Sequence, residues 1–263
     1  MKTKTKFIRW FLVPSFVICY LSFVISAASA ACYDGIWFLG FNLEKEPFNN
    51  VYVRQAAAHA INKQTILRLA SEEVSPGSVI PPGMSGYRTD LAPYSFNLKQ
   101  AKVLMRRGKY LPVHPKLKKI TLLHTDGIRT VAIAKEIKKE LKELGMNITL
   151  IQVKYDDKAW NDELNSRRHH LYLLGYKADF TQSLTREAAP DVVDTYKLLE
   201  PLFHTGGAAN VNSFSNSTVD MLLDQVSVIS VAYQVERELK LKEVNKVLYQ
   251  ELPALVLFYI PKL

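Results

Sequence analysis

The side chains best suited to metal or nucleophilic chemistry in this chain are six histidines and two cysteines, and their spacing supports neither. His169 and His170 are adjacent in a stretch that reads as a strand. Neighbouring side chains on a strand point to opposite faces, so the two make a poor chelating pair. His59 lies on a predicted helix whose next-turn neighbour is Lys63, not a second ligand. His204 belongs to a Phe203-His204-Thr205-Gly206-Gly207 turn and reads as structural. Gly206 and Gly207 follow a helix instead of opening one, so they form no phosphate-binding loop. No Ser/His/Asp or Cys/His grouping stands in a recognisable frame. These residues therefore give no sign of an enzyme, and no cofactor and no metal are expected.

The first thirty residues read as an export signal. Lys2, Lys4, Lys6 and Arg9 form a basic start, Trp10 to Ile25 is nearly all apolar, and Ala28-Ser29-Ala30 is a small-residue cleavage site. The apolar run is shorter than the roughly 18 to 20 residues that cross a bilayer. The alternative is an uncleaved anchor, and either reading places residues 31–263 outside the cytoplasm, in the periplasm or an equivalent extracytoplasmic space. Cys19 falls inside the apolar run, which leaves Cys32 alone and without an intramolecular disulfide partner. Cys32 is a candidate for lipid attachment, although Ser29 stands where a lipoprotein signal carries a bulky aliphatic residue. The alternative is a free thiol.

The formal net charge is +9, and the four cations of the export signal leave +5 for residues 31–263. The basic pairs Arg106-Arg107, Lys138-Lys139 and Arg167-Arg168 are scattered and do not alternate with aromatics, so nucleic acid is not an expected partner.

The hydropathy pattern alternates strands with helices. Gly35 to Leu43 is a strand-like apolar run. A helix is predicted over 50–70, with Val53, Ala57, Ala60, Ile61 and Leu67 at helical spacing and Asn49 or Asn50 as its cap. The Pro/Gly-rich stretch 75–86 holds neither a helix nor a central strand. Asn97 caps a short helix that ends near Gly108. Strand 119–124, amphipathic helix 128–144 with Gly145 as its C-terminal cap, and strand 147–154 form a βαβ unit, whose strands should be parallel and right-handed. Helix 156–167, strand 170–176, helices 192–203, 217–229 and 232–250, and strand 254–259 complete the pattern. The expected class is α/β.

Laid out in this order, the elements carry landmarks. They are Phe38-Leu39-Gly40-Phe41-Asn42, Pro47-Phe48 with Val53-Arg54-Gln55-Ala56, Ile80-Pro81-Pro82-Gly83, and the Tyr94 to Lys102 helix. Gly145 to Val153, Trp160, Gly175-Tyr176-Lys177-Ala178-Asp179-Phe180, Pro201 to Gly207, Asn212 to Asn216 and Val219 to Leu223 follow. In this sequence the chain resembles extracellular solute-binding proteins of the oligopeptide/dipeptide-binding family, the receptors of ABC importers, from residue 36 to about 260. The resemblance implies a periplasmic-binding-protein-like lobe with a mixed, mainly parallel sheet flanked by helices. It also implies two domain-level segments, the signal 1–30 and a second lobe 31–263 with most of the first lobe missing.

What the resemblance implies about chemistry is peptide binding through backbone hydrogen bonds between two lobes. Asp179 corresponds to the carboxylate that pairs with the peptide α-ammonium group. Tyr176 stands in place of a frequent tryptophan, and Phe180 in place of a tyrosine, as walls of the groove. Asn212 and Phe214 lie in a loop that often faces the groove. The partners implied are a peptide ligand, importer permease subunits and another chain supplying the missing lobe. The other readings are an exported interaction module without solute binding and a degenerate remnant.

Overall fold

In a computed structural model, which describes residues 33–178, 194–230 and 232–262, five strands form one sheet in the order β3-β2-β4-β1-β5. They are β1 (Tyr33–Phe41), β2 (Ile120–Thr125), β3 (Ile148–Val153), β4 (Leu171–Lys177) and β5 (Ala254–Pro261). β2 is parallel to both β3 and β4, whereas β1 is antiparallel to both β4 and β5. Four strands therefore point one way and β1 alone runs against them. The expected βαβ unit is present, with α4 (Ile128–Leu141) joining the parallel β2 and β3.

The central strands are buried on both faces, which explains their continuous apolar runs. On one face Leu39, Phe41, Ile120, Leu122, Leu171, Leu173 and Leu255 pack under α1 (Val51–Ala60), α2 (Lys63–Ala70), α3 (Leu98–Arg107) and α4. On the other face Ile36, Phe38, Leu123, Tyr172, Val256 and Tyr259 meet α5 (Asp157–Asn165), α6 (Thr195–Phe203), α7 (Ser217–Val228) and α8 (Gln234–Glu251). The alternation has period two along β1, β2 and β4, as a pleated strand requires. In β5 the register to β1 shifts between Trp37 and Phe38, so Leu257 and Phe258 both turn to the first face. There Phe258 stacks on Trp37 with ring centroids 5.0 Å apart. Each fully buried Leu, Ile or Phe contributes about 1.5–3 kcal/mol of transfer free energy.

The single helix expected over 50–70 is two helices. Ile61 leaves the helical region at φ −88° and ψ 121°, and Asn62 starts α2 by accepting the Gln64 and Thr65 amides. The Ala-rich spacing runs through the break, which hid it. Asn50 caps α1 and Asn97 caps α3, as expected. After α4 a turn of 3-10 helix leads to Gly145 at φ 82°, where an added Cβ would lie 2.6 Å from the Pro112 backbone. Glycine is thus required there for both conformation and space.

Arg54, 3% exposed, joins the helical layer to the end of α8. Its Nε donates to the Glu251 and Leu252 carbonyls at 3.0 and 3.1 Å, Nη1 to Phe48 O at 2.8 Å and Nη2 to Glu251 O at 2.6 Å. Burial lowers its pKa to about 10, a shift only partly opposed by the nearby Glu251 carboxylate. The landmark Val53-Arg54-Gln55-Ala56 is therefore an anchoring motif.

Candidate functional site

The sheet has a chemically distinct end. The carboxyl ends of β2, β3, β4 and β5 meet the amino end of β1, since Tyr33 is in register with Pro261 and Gly35 with Lys177. Ligands of open α/β sheets bind outside the carboxyl ends of the strands, where loops diverge. At this rim Asp126, just after β2, accepts the Tyr155 amide at 3.0 Å, tying it to the turn after β3. The Tyr155 side chain is left 69% exposed.

Across the rim Lys177 at the end of β4 faces Asp34 on β1. Its ammonium stands 3.0 Å from Asp34 Oδ2 and donates to Pro261 O at 3.4 Å, so three strand ends are held by one side chain. Asp34 is fully buried, and no hydrogen bond of good angle reaches either carboxylate oxygen among the described residues. Distance is satisfied in this pair and direction is not. The Ala178 amide also donates to Asp34 O at 2.8 Å, which fixes where the chain leaves β4. Tyr33 at the same end has its hydroxyl pKa raised, first by burial and then by the negative charges of Glu72 and Glu73. Burial raises the pKa of Glu72 as well, opposed by Arg129 at the start of α4.

Of the residues singled out in the sequence, Tyr176 is half-buried on β4, opposite Ile36, and packs against the second face's core. Asp179, Phe180 and Cys32 lie outside the described residues, as does the 192–193 start expected for α6.

Asn212 and Phe214 lie at the other end of the sheet. Asn212 O accepts the Leu43 amide at 3.0 Å, just past the end of β1. Its Nδ2 donates to Pro253 O at 3.5 Å, just before β5 begins. Phe214 is 3% exposed and meets Phe203 edge to face at 6.4 Å. Asn210, also buried, donates to His204 O and Phe214 O, both at 2.8 Å, and accepts the Phe214 amide at 3.0 Å. Asn212 and Phe214 thus lie at the amino end of β4, and Tyr176 lies near its carboxyl end. β4 separates them by ~20 Å, and their polar groups are spent on the loop's own frame. The sequence spacing carried no sign of this, because the loop's end of the sheet is decided by the pairing of β1 with β5.

Three of the histidines singled out in the sequence have neighbours inside the fold. His169 is fully buried against the Tyr172 ring, and burial lowers its pKa to about 4. His170 Nδ1 meets Thr121 Oγ1 at 2.9 Å, and His59 Nδ1 meets Ser95 O at 2.8 Å. Among the described residues no group of three His, Cys, Asp or Glu side chains is placed to hold a metal ion. Among the same residues no helix is long and apolar enough to cross a membrane. The residues that sequence reasoning missed are Asp34, Lys177, Tyr155 and the Glu72-Glu73 pair. Each becomes part of the rim only through contacts between distant strands.

Comparison with known proteins gives a consistent result. The family described as bacterial extracellular solute-binding proteins, family 5 middle, matches residues 27–186. The dipeptide-binding protein DppE of Bacillus subtilis is 27% identical over 233 residues, covering 86% of this chain and 40% of that protein. The oligopeptide-binding protein OppA of the same organism is 23% identical over 236 residues, with the same coverage. Among solved structures, the periplasmic binding protein DppA from Helicobacter pylori in complex with the peptide STSA superposes with a TM-score of 0.71 at 22% identity. That match covers 88% of this chain and 43% of the other. The chain thus spans about 40% of the length of the curated relatives it matches.

Proposed function

This chain belongs to the bacterial extracellular solute-binding proteins of family 5, and from that premise we propose that it is the solute-binding component, or one lobe of it, of an ABC-type importer that takes peptides. The observation that carries this reading is the family match through 186, which includes the sequence segment 175–180, whose described residues 175–178 close β4 at the rim. Lys177, held by Asp34 and Pro261 O, fixes the end of β4 two residues before Asp179 in the sequence. In this reading Asp179 accepts the α-ammonium group of the peptide, since a carboxylate forms charge-assisted hydrogen bonds to ammonium that strengthen as water is excluded. Tyr176 and Phe180 wall the groove, while Asn212 and Phe214 frame the distant end. Glu72 and Glu73 add negative potential at the same rim.

The division into an export signal over 1–30 and a binding lobe over 31–263 is part of the proposal. Its working place is the periplasm or the equivalent space outside the inner membrane, with Cys32 as a candidate lipid-attachment residue. Importer permease subunits are the partners downstream. A second lobe facing the rim, supplied by another chain, would double the hydrogen bonds available to the peptide, because sites of this kind lie between two bodies.

The test is peptide binding by calorimetry with the exported chain, a defined di- and tripeptide set and the Asp179→Asn variant. Binding of free-amine peptides that weakens about tenfold or more in the variant, with N-acetylated peptides already weak on the wild type, is the expected result. Equal affinity of wild type and variant removes Asp179 from the site. No binding by either removes the single-chain receptor reading.

A further inference from the structure

A second chemically distinct surface lies at the opposite end of the sheet from the rim. Lys118, Lys135, Lys138, Lys139 and Lys142 surround an open cleft of about 620 Å3, floored by Gly145, Met146, Asn147 and Ile148. Lys118 precedes β2, and Asn147 precedes β3, so the cleft sits at the amino ends of these strands.

The order of charges along α4 and its 3-10 extension builds this surface. At ~100° per residue, Lys135, Lys138, Lys139 and Lys142 fall within one ~100° arc. Glu136, Glu140 and Glu143 occupy the adjacent arc, and Ile133, Ala134, Ile137 and Leu141 face the core. Carboxylates and ammonium groups on one helix are thus segregated instead of alternating. Lys139 is neutralised at the seam by Glu136, 2.8 Å away. Lys118 donates to Pro112 O at 3.0 Å. Among the described residues no carboxylate lies within ion-pair distance of Lys135, Lys138 or Lys142, and all three are exposed.

We propose that this lysine stripe is a docking surface for anionic phospholipid headgroups, which holds the lobe against a membrane by the end opposite the rim. Charge complementarity calls for an anionic occupant. The residue types select the source. Protein interfaces are depleted in lysine and anchored by aromatic residues and arginine. Here the charged groups are all ammonium on flexible stems, and no aromatic side chain lines the cleft. Lysine clusters on an amphipathic helix match a fluid sheet of phosphate headgroups, each cation near the surface adding its own attraction. Docking there leaves the rim open for ligand, so the inference stands apart from peptide binding.

The experiment is vesicle co-sedimentation of the full chain with phosphatidylglycerol-phosphatidylcholine vesicles and with pure phosphatidylcholine vesicles, at low and at physiological salt. The pure phosphatidylcholine arm reports what the apolar run Trp10 to Ile25 contributes. The variants are Lys135→Gln/Lys138→Gln/Lys142→Gln and a control with the same charge loss on α3, Lys99→Gln/Lys102→Gln/Arg106→Gln. All six positions are exposed, and circular dichroism checks the fold. The expected result is an increment of binding from phosphatidylglycerol that salt weakens, that falls on the order of tenfold or more in the α4 variant, and that survives in the α3 control. No increment, or equal loss in both variants, overturns the proposal. So does undiminished vesicle binding in the presence of inorganic polyphosphate that itself binds at the α4 lysines, because the stripe then serves a soluble polyanion.

Discussion

The Lys63 ammonium donates to the Pro76 carbonyl oxygen at 2.8 Å inside the protein, and the two residues join the start of α2 to the irregular stretch that precedes Ser78. Lys63 is 6% exposed, and burial lowers its pKa from the usual 10.5 to about 7. A cavity of about 20 Å3 adjoins it, lined by Ser78, Tyr94 and Tyr249, room for one water molecule. The unfolded chain keeps the proton until the ordinary lysine range, and the folded chain loses it near neutrality. Between those two values the unfolded state binds more protons, so stability rises with pH. Urea denaturation at pH 7 and pH 9.5 should show a gain on the order of a few kcal/mol for the wild type. Lys63→Met should flatten that slope. An equal slope in both proteins would mean that Lys63 does not titrate in this window.

Glu140 is expected to give the opposite slope at lower pH. Its carboxylate accepts the Asn62 amide at 3.0 Å across the α2–α4 contact, and burial raises its pKa to about 7. From the ordinary carboxylate value to about 7 the folded state binds more protons, so this group's contribution falls as pH rises. Glu140→Gln keeps an acceptor for Asn62 and should remove that fall. Melting temperatures at pH 5 and pH 7 for the two proteins decide it, and identical pH dependence would exclude Glu140 as the cause.

Arg54 predicts the largest single loss of stability. Four hydrogen bonds run from its guanidinium to the Phe48, Glu251 and Leu252 carbonyls. Arg54→Met leaves those buried acceptors unpaired, at about 1–3 kcal/mol each before relaxation. A loss of ~3 kcal/mol or more is expected in guanidinium denaturation. Arg54→Lys should recover only a minor part, because an ammonium group cannot span the same fork of carbonyls. Full recovery by lysine would mean that charge matters here and geometry does not.

The Asp34–Lys177 pair calls for a double-mutant cycle. Lys177→Met strands a fully buried carboxylate, whose only ion-pair partner among the described residues is that lysine 3.0 Å away. Breaking a buried pair at one side costs more than removing both charges. Lys177→Met should therefore destabilise by ~2 kcal/mol or more, and Asp34→Asn/Lys177→Met should be more stable than that single variant. Additive single effects would show that the two side chains act independently. The same variants loosen the end of β4, two residues before Asp179 in the sequence, so peptide affinity should fall with them.

Local chemistry carried much of the fold into view. Asn50, Asn97 and Gly145 act as caps where their types and positions said they would. The β2–α4–β3 unit was legible because its period changes from two to 3.6 and back within one short stretch. The break between α1 and α2 was not. Ala57, Ala60 and Ile61 keep helical spacing through it, and the turn is secured by a bond from Asn62 to Glu140, 78 residues away. The mixed sheet was expected to be mainly parallel, and four strands do share one direction. The pairings nevertheless divide evenly, because β1 sits between β4 and β5 and runs against both.

The candidate site divides in the same way. The sequence by itself determined the class of layered α/β lobe, the order of its landmarks and the family they belong to, because caps, periodicity and motif order are properties of neighbouring residues. Only the tertiary structure decided which of those landmarks share a surface. It put Tyr176, Lys177, Asp34 and Tyr155 on one rim, sent Asn212 and Phe214 to the far end, and aligned the α4 lysines beside Lys118. The physical reason is that side chains come together here through pairing between strands distant in the chain, and the register and direction of that pairing are set by burial on both faces of the sheet at once.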